Sequence, residues 1–243
     1  MNPPVSCILS IEPGLPFGQA ALAAGYAPAQ VWHCRFDNTF YQDEDYRSQG
    51  IALPAAIAGS AVKRRGEYLA GRIAADRVLT ALGHPGFDLR PGEDRTPVWP
   101  PGIQGALTHH GTLAIGIGWH RPQREVAGLG IDIETLIAAP RTHDLWPGII
   151  SVAERAFFAT LPLSFATCLT LAFSAKECLF KTLYPLVLRY FDFLDARVVD
   201  MQDNHITLEL LVALAPNLPA GSRFACGYAV EGEDVLTVLA LGA

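Results

Sequence analysis

The sequence has no surplus of basic residues, no Cys-x-x-Cys pair and no long unbroken apolar run. Each absence removes a class of protein. Eighteen Lys and Arg stand against 24 Asp and Glu, a formal charge of −6. A general nucleic-acid binder needs a basic footprint and is not expected. Any basic patch is therefore local and sized for a small anion, and an acidic protein partner has to meet such a patch. The five cysteines, at 7, 34, 168, 178 and 226, are odd in number, and no two have Cys-x-x-Cys spacing. Zinc ribbons and disulfide frameworks are poor readings; buried free thiols are the expectation. The most apolar early stretch, Leu15 to Trp32, is interrupted by Pro16, Gly18, Gln19, Gly25 and Pro28, so no membrane span is expected. Residues 1–18 hold four prolines and no basic cluster, which is not the pattern of a secretory signal. The expected location is the cytoplasm.

What is present is the balance of a compact globular chain. Of 243 residues, 50% are hydrophobic and 17% charged, enough for one large core or two smaller ones. Alternation predicts strands over 5–11 and 31–40, and 41–47 reads as loop or helix; 15–24 is open between short helix and loop. The strongest helical period of the first half runs from Ile57 to Leu82, stopped by Gly83 and Pro85. A Pro/Gly-rich connection leads to an extended segment, Ala106 to Trp119. His120 to Glu125 is polar, contains Pro122 and is the best boundary, dividing the chain into 1–122 and 123–243. Beyond it, Val126 to Glu134 reads as a strand and Pro140 to Gly148 as a loop. Ser151 to Phe158 reads as a helix, with Ser151 and Glu154 at capping-box spacing. Phe165 to Tyr184 is a second strong helix, ended by Pro185. Three strands follow: Ile206 to Leu211, Arg223 to Val230 and Val235 to Leu241. The fold class is α+β, laid out as two similar units, each with one long helix and several strands.

Asp132 and Glu134 lie two apart at the end of an apolar strand, so period-two alternation puts both on one face. Like charges this close repel unless a cation offsets them. Oxygen ligands of this kind suit a hard ion such as Mg²⁺; a solvated strand end is the plainer alternative. In the second helix, Leu169, Phe173, Lys176, Glu177, Phe180, Lys181 and Tyr184 share one stripe. Glu177 and Lys181 also satisfy the spacing of an ordinary surface pair worth about 0.2–0.5 kcal/mol. The phenylalanines on the same stripe argue for something more, because charge on an apolar face needs a partner. In the first half, Lys63-Arg64-Arg65 and Arg72 are a solvated face or a grip for separate phosphates of one ligand. Thr108-His109-His110 lacks a third ligand at metal spacing, so zinc is disfavoured and a histidine donating to phosphate is the better reading.

Four segments align together: 63–72 (KRRGEYLAGR), 97–110 (PVWPPGIQGALTHH), 130–134 (GIDIE) and 173–181 (FSAKECLFK). In this order and spacing the chain resembles the 4′-phosphopantetheinyl transferases. Within them it is similar to the group that includes enterobactin synthase component D, in the monomeric, pseudo-duplicated branch. The resemblance implies two subdomains related by a pseudo-twofold axis with the active site between them. It implies transfer of the phosphopantetheine arm of coenzyme A to a serine of an apo acyl or peptidyl carrier protein, releasing adenosine 3′,5′-bisphosphate. Siderophore or other secondary metabolite synthesis is the implied setting. By motif, Asp132, Glu134 and Glu177 hold Mg²⁺, with Mn²⁺ as the alternative ion. Glu177 takes the serine proton directly or through water, and Lys181 serves the leaving phosphate. Lys176 contacts phosphate oxygens, and Arg64, Arg72, Arg95, Thr108 and His109 hold coenzyme A. Thr108 replaces a commoner serine but keeps a hydroxyl; His110 and Cys178 also depart from the usual residues.

Two rivals remain at this stage. A Mg²⁺ nuclease of the Asp…Glu-x-Lys type needs a lysine two beyond the acid, where the chain has Leu136 and Leu179. A non-catalytic scaffold that binds carrier protein or coenzyme A is disfavoured because Asp132, Glu134, Glu177 and Lys181 are all present.

Overall fold

The computed structural model describes residues 6–15, 29–92, 96–121, 128–202 and 204–241. These divide into two compact units, the first ending at Arg121 and the second covering the described residues from Gly128 onward.

In the first unit β1 (Ile8–Pro13), β2 (Gln30–Phe36), β3 (Ile103–His110) and β4 (Leu113–His120) form an antiparallel sheet in the order β1-β2-β4-β3. Two short helices, α1 (Glu44–Ser48) and α2 (Ala55–Ala58), precede the long α3 (Val62–Ala81), which packs on β2 and β4. Leu69, Ile73, Val78 and Leu79 carry its buried stripe. Gly116 and Gly118 of β4 let it approach. A Cβ on Gly116 would come within 3.1 Å of the Ala74 backbone, and one on Gly118 within 2.8 Å of Val78.

Three expectations shift here. The single helix over 57–82 is two, because Gly59 caps α2 and the chain restarts at Val62. The extended segment 106–119 is a hairpin, with Gly111 taking φ +56° at the turn, a conformation glycine adopts freely. The strand over 31–40 ends at Phe36. Asp37 then accepts from Thr39 N at 2.8 Å and caps a 3₁₀ turn at Asn38–Phe40. The segment 15–24 lies almost wholly outside the described residues.

The second unit holds β5 (Gly128–Thr135), α4 (Ala139–Ile149), α5 (Val152–Phe158), α6 (Phe165–Val187), β6 (Ala196–Gln202), β7 (His205–Leu210), β8 (Arg223–Glu231) and β9 (Asp234–Leu241). Its antiparallel sheet runs β5-β9-β8-β7-β6, and α6 packs on β5 and β9. Leu169, Ala172, Leu179 and Leu183 meet Ile206, Leu208, Val235 and Leu239 in one core. The capping box on α5 is present, Ser151 Oγ and Glu154 each bonding the other's backbone N–H.

Residues 140–148 are helical, not loop. Pro140 sits in the first turn of α4, where its missing N–H costs nothing. Thr142, Leu145, Trp146 and Ile149 then follow i, i+3, i+4, i+7 spacing toward the core. Pro185 does not stop α6; it lies inside the last turn, and the helix ends at Leu188 in a left-handed conformation, φ 49°. Strand β6 carries no clean alternation and was not expected. All five cysteines are free and buried. No described helix is long and apolar enough to cross a membrane.

Candidate active site

The site in the second unit begins with two glycines. A Cβ on Gly130 would lie 2.2 Å from Cys178 O, and one on Gly128 2.6 Å from Thr182 O. Only glycine lets β5 lie this close to α6. The contact brings Asp132, two residues along the same face, to the residues of α6. Asp132 is 3% exposed. Its Oδ1 accepts from Lys181 Nζ at 2.6 Å and its Oδ2 from Ser174 Oγ at 2.9 Å. Lys181 also donates to Ile131 O at 3.2 Å. Thr237, opposite Asp132 on β9, donates to Ser174 O at 3.0 Å and closes the back of this group.

Glu134 and Glu177 complete the acidic set. Burial, then the Asp132 charge, pushes the Glu134 carboxyl up to about 7; Lys181 opposes and Glu177 adds to the rise. Burial raises Glu177 as well, Lys181 opposing and Asp132 adding. Burial works against the Lys181 ammonium, but Asp132, by charge and hydrogen bond, and Glu177 hold it above its ordinary value. Glu134 and Glu177 are thus both raised beside Asp132, against the one ammonium of Lys181. Among the described residues no three His, Cys, Asp or Glu side chains stand ready-arranged as a metal cage. The donor set nevertheless fits a hard divalent cation in its chemistry: all oxygen, acidic, and short of positive charge. The structure brings Asp132, Glu134, Glu177 and Lys181 together.

Lys176 is not brought to them. It is 2% exposed, ion-paired with Glu154 Oε1 at 2.8 Å and donating to Ile149 O at 2.9 Å. Burial lowers its pKa against the pull of Glu154. Where phosphate oxygens were the expected partners, the structure gives Lys176 these two, Glu154 and Ile149 O, inside the unit. Glu154 is the residue that sequence reasoning saw only as a cap. Its distance of 22 residues from Lys176 gives no periodic signal.

In the first unit, Arg64 Nη1 lies 3.4 Å from His109 Nε2, and His109 Nδ1 lies 3.9 Å from Glu67 Oε2. Lys63 reaches the same Glu67 at 3.8 Å. Arg64, Lys63 and His109 thus form one basic group over a single carboxylate. Arg72 stands apart from this group. Its guanidinium lies 4.5 Å above the Tyr68 ring and lines a pocket of about 550 Å³ with Asp76, Phe87, Asp88 and Arg90. Thr108 is 5% exposed on β3. Arg95 lies outside the described residues.

Comparison with known proteins places these features. Residues 53–117 match the 4′-phosphopantetheinyl transferase N-terminal domain, and residues 128–229 match the 4′-phosphopantetheinyl transferase superfamily. The chain is 38% identical over 159 residues to enterobactin synthase component D of Salmonella typhimurium, covering 64% of this chain and 63% of that protein. It is 42% identical over 121 residues to the Escherichia coli protein of the same name, covering 49% of this chain and 54% of that one. It is 31% identical over 191 residues to 4′-phosphopantetheinyl transferase PptT of Mycobacterium tuberculosis, covering 75% of this chain and 79% of the relative. The aligned part thus spans between about half and about four fifths of these relatives. With both family models matched in order and the acidic site lying within the second, the chain belongs to the 4′-phosphopantetheinyl transferase superfamily.

Proposed function

We propose that this chain transfers the 4′-phosphopantetheine group of coenzyme A to a serine of an apo acyl or peptidyl carrier protein. One observation carries the reading: Asp132, Glu134, Glu177 and Lys181 form one electrostatically coupled group across β5 and α6. The serine Oγ attacks the phosphorus that bears pantetheine. The bond from that phosphorus to the bridging oxygen breaks, and adenosine 3′,5′-bisphosphate leaves. Glu177, raised by burial, accepts the serine proton directly or through water. Lys181, held charged by Asp132, donates a hydrogen bond or a proton to the leaving oxygen. Asp132, Glu134 and Glu177 are the proposed ligands of Mg²⁺, which when bound would offset charge on the phosphoryl oxygens. Arg64 and His109, with Arg72, Thr108 and Arg95, are the proposed contacts of coenzyme A. Residues up to 122 thereby supply the coenzyme A contacts and those from 123 the metal and proton chemistry. We infer a monomer acting in the cytoplasm.

The test is the intact mass of one peptidyl and one acyl carrier after incubation with this protein, coenzyme A and Mg²⁺, with and without EDTA. A gain of one phosphopantetheine unit that EDTA abolishes is expected. No gain on either carrier, beside a known transferase that works on both, would overturn the reading.

A further inference from the structure

The buried Lys176–Glu154 pair has no part in the proposed proton or metal chemistry, yet every oxygen of its carboxylate is bonded. The two residues are 2% and 3% exposed. Besides Lys176, Glu154 Oε1 accepts from Val198 N at 2.9 Å. Its Oε2 accepts from Ser151 N at 2.8 Å and Ser151 Oγ at 2.9 Å. One carboxylate therefore joins α5, β6 and α6, and Lys176 adds the end of α4 through Ile149 O. A buried ion pair is a weak source of stability, since apolar side chains of similar volume often serve as well or better. Its better-attested use is to fix registry. What it fixes here is α6 at the residue immediately before Glu177 and five before Lys181.

We propose that Glu154, acting through Lys176, is a positioning residue: the pair sets the rotation of α6 and so aims Glu177 and Lys181, and neither member touches coenzyme A. The proposal rests on the transferase reading. A turn of the helix about its axis strains both bonds at Lys176 Nζ, whose partners lie on α4 and α5. A side-chain tip about 6 Å from the axis moves about 1 Å for a 10° turn. An error of that size costs on the order of 100-fold in rate. A lysine that bound a ground-state phosphate would set coenzyme A affinity as well; the Ser151→Ala arm, which leaves Lys176 in place, separates positioning from a transition-state contact.

The experiment uses the full chain carrying Glu154→Gln and Lys176→Met together, so that no buried charge is left unpaired. Melting temperature, coenzyme A Kd by calorimetry without Mg²⁺, and kcat at saturating coenzyme A are measured beside the wild type. Expected are a folded protein, a Kd within about twofold of wild type, and kcat lower by roughly 100-fold. A folded double variant with wild-type kcat would overturn the proposal. So would a Kd weakened tenfold or more with kcat unchanged, which would return Lys176 to the phosphates. Ser151→Ala decides the matter if the double variant fails to fold. It removes one donor to Glu154 and no charge; several-fold lower kcat at unchanged Kd supports positioning, and unchanged kcat overturns it. Absence of transfer by the wild type itself would remove the transferase reading instead, a result distinct from any variant effect.

Discussion

Asp132 shows how one side chain can serve both fold and chemistry. Its two oxygens hold Lys181 and Ser174 inside the second unit. Asp132→Ala removes both acceptors, and leaving buried donors unmet costs about 1–3 kcal/mol. Loss of transfer in that variant is therefore ambiguous. Asp132→Asn keeps the shape and one acceptor; it is expected to lose transfer while melting within a few degrees of wild type, checked by carrier mass and thermal denaturation. The cysteines give a second prediction. Burial pushes Cys7 and Cys34 up to about 12 and Cys168 up to about 11, so their thiolates are scarce at pH 8. A thiol reagent should label none of the five in the native protein within minutes and all five in denaturant. Rapid native labelling would show that a thiol is reachable. At this scale the sequence was informative where spacing alone fixes direction. Period two put Asp132 beside Glu134, and i,i+4 put Glu177 beside Lys181. It did not reveal the Lys176 partner, because adjacent polar residues on a helix point about 100° apart and Glu154 lies 22 residues away.

Both units pack their long helix over a Gly-x-Gly on the strand beneath: Gly116 and Gly118 under α3, Gly128 and Gly130 under α6. In the sequence alone these glycines were given no role, since close approach is a tertiary fact. Gly130→Ala tests it. The new Cβ would meet Cys178 O at 2.2 Å and Thr182 Oγ1 at 2.3 Å, and backbone cannot yield as a side-chain tip can. A loss of about 3 kcal/mol is expected from overpacking, with transfer reduced because β5 carries Asp132; urea denaturation measures the first. Gly148→Ala, with nothing within 4 Å of the new Cβ, is the control and should be near neutral. Across the sheet, Glu209 of β7 faces Arg197 of β6 and Arg223 of β8. It accepts from Arg223 Nε at 2.8 Å and Arg197 Nη2 at 2.6 Å. Arg223 and then Arg197 hold its carboxyl below the usual range. A carboxyl lowered on folding adds stability above its unfolded pKa and loses it as pH falls through the folded value. The difference in melting temperature between wild type and Glu209→Gln should therefore be present at pH 7 and shrink toward zero in strong acid. A difference that does not change with pH would detach it from this ionisation.

For the whole molecule, the two-unit layout and the boundary at 122 are read from a polar, proline-bearing stretch between two runs that each hold one strong helix, and the described residues fall into two compact units. What escaped was topology. The hairpin of β3 and β4 depends on one glycine at φ +56°. Helix α4 forms despite Pro140 and Pro147 because its apolar residues reach the core. The chain is acidic overall, at −6, and the second unit concentrates Asp132, Glu134 and Glu177 with Lys181 as their near positive charge. A bound divalent ion relieves that repulsion only in the folded state, so it must raise stability by linkage. At about 100 times its Kd an ion adds about 2.7 kcal/mol, roughly 5–10 °C in melting temperature for a chain of this size. Mg²⁺ should therefore raise the melting temperature of wild type over NaCl of equal ionic strength, and Asp132→Asn should lose most of that rise. Equal melting in Mg²⁺ and Na⁺, with and without coenzyme A, would remove these three carboxylates as ion ligands. A rise that survives in Asp132→Asn would place the ion elsewhere on the chain.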